Sequence, residues 1–134
     1  MPGRETTPSF KPGNLERLTN TVNKLKMKQK NLEEAKAVEN PPGVVRKTLA
    51  YNKEAMLCHF TLKKGAKIPL HNHPPVQIGY VVSGHARFLG DNEFEAKAGE
   101  AYCIEAGVTH GTEALEDTVY VEVFSPSREE YKDF

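Results

Sequence analysis

The chain has 134 residues, and its 18 basic and 18 acidic side chains give no formal net charge. A chain of this length suits one domain with a modest core. No apolar run approaches the roughly 18 residues that a membrane span needs, and the first residues lack the apolar stretch of a signal peptide. We therefore expect a cytoplasmic protein without a membrane partner.

The N-terminal segment has a helical pattern. Asn14 can cap a helix that continues to about Val38. Its apolar residues recur at three- and four-residue spacing and are Leu15, Leu18, Val22, Leu25 and Leu32. The lysines of this segment would scatter around the helix, which argues against a nucleic-acid partner. A homodimer is expected, although the apolar stripe can equally join two subunits or cover the protein's own domain.

A turn that ends at Gly43 separates this extension, residues 1–43, from a second region, residues 44–134. The pattern there changes to short β-type runs between turns. The predicted strands are Val44–Tyr51, Ala55–Leu62, Val76–Val82, His85–Leu89, Glu93–Lys97, Ala101–Glu105 and Thr118–Phe124. Several short strands at this spacing indicate an all-β sandwich or barrel.

Three of the five histidines form a pattern that a packed core does not require. His71 and His73 lie one residue apart, so an extended strand would present both on one face. Gln77 follows across a Pro-Pro turn, and His110 lies in a second glycine-flanked segment. Imidazole groups suit divalent first-row metals, so these four residues are candidate ligands of one such ion.

The spacing of these residues resembles the two motifs of the cupin family. The first motif joins a glycine, a His-x-His pair, an acid and a second glycine, and its counterparts here are Gly65, His71, His73, Gln77 and Gly84. The second motif is matched by Gly99, Gly107 and His110. Gln77 stands where the family usually has glutamate, but an amide can still bind a metal through its oxygen.

The resemblance implies a single double-stranded β-helix, a jelly-roll-like barrel of two antiparallel sheets, preceded by the helical extension. It also implies one divalent transition metal inside the barrel near its mouth, with nickel, iron, manganese, zinc and cobalt as candidates. Four neutral ligands would leave the metal its full positive charge and make it a stronger Lewis acid than a glutamate ligand would.

The C-terminal strand adds candidate catalytic residues. Strand alternation places Glu122 and Phe124 on one face, and a glutamate beside a metal inside a barrel would be costly to bury without a role. Arg128, beyond a Ser-Pro-Ser turn, could reach back over the mouth and hold a carboxylate. The alternative is a solvent-facing Glu122 and a surface Arg128 that pairs with Glu129 or Glu130.

This C-terminal segment, taken with the ligand set, is similar to the small pectin-degradation cupins that convert 4,5-unsaturated uronates to linear ketones. The resemblance implies a carboxylate-bearing sugar as the small-molecule substrate. Glu122 would then move a proton, Phe124 would shape the pocket and Arg128 would hold the carboxylate. That family has aspartate where this chain has Glu122. A metal-dependent dioxygenase and a non-catalytic cupin that binds a ligand or metal are the alternatives.

Overall fold

The computed structural model describes residues 27–132, which fold into ten β-strands and a final 3₁₀ turn. The strands are β1 (Ala37–Glu39), β2 (Val44–Tyr51), β3 (Met56–Leu62), β4 (Lys67–His71), β5 (Val76–Ser83), β6 (His85–Gly90), β7 (Phe94–Lys97), β8 (Ala101–Ile104), β9 (His110–Ala114) and β10 (Thr118–Ser125). The 3₁₀ turn is Glu129–Tyr131. No helix within the described range is long and apolar enough to cross a membrane.

The strands form two antiparallel sheets that face each other. The six-stranded sheet has the order β1-β2-β3-β10-β5-β8, and the four-stranded sheet has the order β4-β9-β6-β7. Most neighbours in these sheets are distant in sequence, so the chain passes back and forth between the sheets as it winds around the barrel. The two-sheet, all-β architecture expected from the sequence is confirmed.

Strand alternation separates the barrel interior from its surface. In β10, for example, every second residue from Thr118 to Phe124 is buried, while Val123 faces outward. The apolar core contains closely packed rings from both sheets, including Phe88, Tyr102 and Tyr120. Four of the buried polar side chains, His73, Gln77, His110 and Glu122, lie close together.

The register places those polar side chains at one end of the barrel. Gln77, near the start of β5, pairs with Phe124 near the end of β10. In the opposite sheet, His71 at the end of β4 pairs with His110 at the start of β9. Each sheet therefore contributes side chains to the same end.

The predicted N-terminal helix is wrong for residues 27–38. The structure has no helix in this stretch, and Val38 instead pairs with Arg46 in the β1-β2 ladder. The side chain of Asn31 accepts a hydrogen bond from the backbone N–H of Glu34 and closes a turn, a local contact that competes with helix formation. The earlier part of the predicted helix, from Asn14 to residue 26, lies outside the described residues.

All seven predicted strands are present, with bounds that differ by at most one residue. Three further strands, β1, β4 and β9, were not predicted. Strand β4 contains Pro69, and β9 reads His-Gly-Thr-Glu-Ala, so neither has the β-branched alternation by which strands are recognised. They form because their partners in the sheet hold them, which a local pattern does not reveal.

Candidate metal centre

Three histidines converge inside the barrel at the end described above. His71 ends β4, His73 lies in the following loop, and His110 begins β9. Each offers a ring nitrogen, and these nitrogens all lie within 4.8 Å of one another. The ring centroids of His71 and His110 are 4.5 Å apart, and those of His73 and His110 are 5.1 Å apart. The cluster fits a divalent metal site.

Backbone carbonyl groups fix which nitrogen of each ring is available. The Nδ1 atoms of His71, His73 and His110 each lie 2.9 Å from the carbonyl oxygen of a residue two positions away. A carbonyl oxygen only accepts hydrogen bonds, so in each ring Nδ1 carries the proton and donates it. In the neutral rings, Nε2 is then left with a free lone pair, the form in which imidazole binds a metal.

Gln77 contributes an amide to the same cluster. Its Oε1 lies 3.0 Å from His73 Nε2 and 3.1 Å from His110 Nε2. Its Nε2 donates a hydrogen bond of 2.6 Å to Glu122, which fixes the orientation of the amide because a carboxylate only accepts.

The atoms that face one another in this cluster, Nε2 of the histidines and Oε1 of Gln77, are therefore all hydrogen-bond acceptors. Gln77 Oε1 faces two lone-pair nitrogens at hydrogen-bond distance, and nothing between them donates a proton. A cation placed among them removes this conflict. Two ligands bound at about 2.1 Å and at right angles lie about 3.0 Å apart, which matches the observed separations. The donor set thus fits a divalent metal on geometry and on hydrogen-bonding chemistry.

The electrostatics favour neutral rings. Burial, together with the Arg128 guanidinium, lowers the pKa of His73 below its usual value. Burial and the two neighbouring histidines likewise lower the pKa of His110, against a hydrogen bond to Val108 that raises it. Both rings are therefore biased towards the uncharged form that ligates metals.

Glu122 lies behind Gln77 and is buried, with 2% of its surface exposed. Its Oε2 accepts hydrogen bonds of 2.6 Å from Gln77 and from the hydroxyl group of Tyr102. Burial raises the pKa of Glu122 to about 7, although both hydrogen bonds lower it. The solvent-facing position considered for this residue is wrong.

Phe124 and Arg128 extend the cluster towards the mouth of the barrel. The Phe124 ring packs edge-on against His73, with centroids 5.7 Å apart. The Arg128 guanidinium lies 5.2 Å from the Phe124 ring centroid and 4.1 Å from that of Tyr131. All seven site residues named from the sequence are therefore brought together.

Arg128 also forms an ion pair with Glu130, one of the two partners that the sequence suggested. Its Nε and Nη2 donate to a single oxygen of Glu130, at 3.1 and 2.8 Å. Its side chain is only 10% exposed, so it is not the surface arginine that this alternative assumed. Glu129, by contrast, pairs with Lys132.

A cavity of about 520 Å³ opens beside His110. The described residues that line it include three acidic side chains, Asp91, Glu93 and Glu105, and no lysine or arginine. Acidic side chains therefore lie on the side of His110, whereas the positive group, Arg128, lies on the side of Phe124 and His73.

One contributor to the site, Tyr102, was missed in the sequence. Tyr102 occupies an ordinary inward position of β8, so its role was not apparent. The sequence holds only an indirect sign of this role, the glycine at position 79. Tyr102 pairs with Gly79 on β5, and a side chain at Gly79 would collide with the Tyr102 ring. The role of Glu130 depends on the path of the chain after β10, and sequence spacing suggested it only as one of two options.

Comparison with known proteins agrees with this architecture. The sequence profile of the cupin domain matches residues 58–125. The chain belongs to the cupin family. No curated protein matches its sequence.

Solved structures of other cupins superpose well. An RmlC-like cupin from Shewanella frigidimarina NCIMB 400 is 27% identical, with a TM-score of 0.73 over 77% of this chain and 94% of that chain. KdgF from Halomonas sp. is 28% identical, with a TM-score of 0.71 over 77% of this chain and 98% of that chain. Oxalate decarboxylase from Lactobacillus farciminis, at 24% identity and a TM-score of 0.65, shares the fold, and the match covers 34% of its chain.

The first prediction concerns the histidines. His73→Ala and His110→Ala each remove a lone pair from the cluster, so we expect Zn²⁺ or Ni²⁺ affinity to fall more than about 100-fold, beyond the usual loss for a residue that only supports a ligand. His59→Ala and His85→Ala are matched controls, because neither belongs to the cluster. Titration calorimetry measures all four variants, and equal losses in controls and cluster variants would contradict the site.

Proposed function

We propose that this cupin binds one divalent transition metal through His71, His73, Gln77 and His110 and opens the ring of a 4,5-unsaturated uronate or a related sugar acid. The observation that carries the proposal is the Arg128 guanidinium. It stands over Phe124, which contacts His73, and it already holds a carboxylate, that of Glu130. A carboxylate site beside a metal cluster suits a sugar acid.

The similarity of the ligand set and the C-terminal segment to the pectin-degradation cupins supports this substrate class, and the fold is shared with KdgF of Halomonas sp.. The metal, when bound, supplies Lewis acidity that polarises substrate oxygen atoms, and its four neutral ligands preserve its positive charge. Nickel, iron, manganese, zinc and cobalt remain the candidate ions.

The remaining steps belong to the side chains. Arg128 binds the substrate carboxylate with two parallel donors and so fixes the orientation of the sugar. Phe124 forms an apolar surface between this contact and His73 and limits where the ring can lie. Exchange of Glu130 for the substrate carboxylate costs little, because the side chain of Glu130 is 58% exposed and returns to solvent.

Glu122 is the proposed proton carrier. Ring opening is an isomerisation: the anomeric hydroxyl group loses its proton as the ring carbon–oxygen bond breaks, and carbon 4 of the double bond gains one. Atoms and electrons balance without a second reactant. Glu122 is the one acidic side chain among the buried residues of the described chain, and it contacts the ligand Gln77. We propose that its carboxyl group exchanges this proton with the substrate.

The second prediction tests the carboxylate contact. Metal-loaded protein should convert a 4,5-unsaturated uronate, and Arg128→Ala should lower kcat/KM about 10- to 100-fold, since it removes a charge-assisted contact. Arg87→Ala is the matched control, because Arg87 makes only partly exposed ion pairs on β6. Steady-state kinetics, with metal content checked for each variant, measures the effect.

A metal-filled wild-type protein without activity on any such sugar, or an Arg128→Ala variant as active as wild type, would contradict the proposed function. Oxygen uptake by the same sample would favour a dioxygenase instead.

The third prediction concerns the ion pair within the chain. Glu130 occupies the donors of Arg128 that the substrate would use, so Glu130→Gln should lower KM about 2- to 5-fold, the scale of a partly exposed ion pair, and leave kcat nearly unchanged. Glu129→Gln removes the same charge one residue away without touching Arg128 and should leave KM as it is. An equal KM for Glu130→Gln and wild type would show that Glu130 does not compete with substrate.

A further inference from the structure

A buried hydrogen-bond network lies behind the histidine cluster and crosses three strands of the six-stranded sheet. Tyr102 on β8 and Gln77 on β5 both donate to the same oxygen of Glu122 on β10. Each of the three side chains is at least nine-tenths buried. A buried network of this kind, with both donors satisfied, holds its members in one arrangement.

Gly79 makes this arrangement possible. It pairs with Tyr102 on one side and with Glu122 on the other, so it stands directly between them in the sheet. A Cβ atom at Gly79 would collide with the end of the Tyr102 ring, including its hydroxyl oxygen. The absence of a side chain at this position lets the tyrosine lie across β5 and reach the carboxylate.

The network determines which end of the Gln77 amide faces the histidines. The amide has a donor end and an acceptor end, and Glu122 accepts from the donor end. The acceptor end is therefore turned towards His73 and His110. Without the carboxylate, the amide could rotate and present its NH₂ group, which does not ligate a metal, to the cluster.

We infer that Gln77 and Glu122 form one coupled unit, in which the acid behind the ligand requires the ligand to be an amide, and that Tyr102 is a positioning residue for that acid. The inference rests on the proposed metal site. The carboxyl group that a glutamate ligand would provide is present in this chain, but it stands one hydrogen bond further from the metal site.

This coupling predicts that the usual cupin glutamate would not fit here by itself. Gln77→Glu would place a second carboxyl group against Glu122, where two acceptors meet and one must take up a proton. Gln77→Glu combined with Glu122→Gln exchanges donor and acceptor and restores the hydrogen bond in the opposite direction. The effect of one substitution should therefore depend on the other.

The fourth prediction is a double-mutant cycle on the metal-free full-length chain, read as melting temperature. Glu122→Gln should raise the melting temperature by at least about 4 °C more in the Gln77→Glu background than in the wild-type background, the scale expected for residues in direct contact. Equal shifts in the two backgrounds would overturn the coupling.

Zn²⁺ affinity tests the positioning role. Tyr102→Phe removes one hydroxyl group from Glu122 and should weaken Zn²⁺ binding about 10- to 100-fold, the usual loss for a partner behind a ligand. Tyr120→Phe removes another buried hydroxyl group, one that contacts Thr112, and should leave Zn²⁺ affinity unchanged. Gly79→Ala should reproduce the loss seen for Tyr102→Phe. Wild-type affinity in Tyr102→Phe, or an equal loss in Tyr120→Phe, would overturn the assignment of Tyr102.

A wild-type chain that bound no divalent metal would contradict the proposed function. The melting cycle is measured without metal, so it supports or overturns the coupling of Gln77 and Glu122 independently of that result.

Discussion

Three backbone carbonyl groups set the chemistry of the site. They accept the Nδ1 protons of His71, His73 and His110 and so turn every Nε2 lone pair into an available ligand. These carbonyls belong to residues only two positions from each histidine, namely Pro69 within β4, Pro75 in the loop after β4 and Val108 in the loop before β9. The local backbone therefore determines both the direction and the protonation of the rings. The site follows from this backbone as much as from the histidines themselves.

The amide at position 77 distributes charge differently from a glutamate. A glutamate ligand would partly neutralise the metal, whereas Gln77 is neutral and the nearest carboxyl group, that of Glu122, stands one hydrogen bond away. The buried carboxylate is stabilised by two donors, which offset part of its desolvation cost. In the proposed function, the metal would supply Lewis acidity and Glu122, behind the ligand Gln77, would exchange the proton that ring opening of a sugar acid moves.

The sequence was sufficient for features that depend on local periodicity or on fixed spacing. The seven strands with clear alternation were found almost to the residue, and the spacing of His71, His73, Gln77 and His110 identified residues that the barrel does bring together. The coupling of Tyr102 to Glu122 was not accessible, because it depends on the register of three strands that are distant in sequence.

The errors have the same origin. Of the apolar stripe that predicted a helix from Asn14 to about Val38, only Leu32 lies within 27–38. The end of this stretch, Ala37–Glu39, instead pairs with β2 at the edge of the sheet. Strand β9 has little intrinsic preference for an extended conformation and is held by β4 and β6 on either side. In each of these segments, contacts with neighbouring strands determine the conformation more than local propensity does.

In the proposed site, the lone pairs of the cluster are directed at one divalent cation. Anomalous diffraction at the metal edge, from crystals grown with Ni²⁺ or Zn²⁺, tests this arrangement. We expect one strong anomalous peak bonded to the Nε2 atoms of His71, His73 and His110 and to Oε1 of Gln77. No peak at saturating metal, or a peak bonded through Nδ1 atoms or without the Gln77 oxygen, would contradict it.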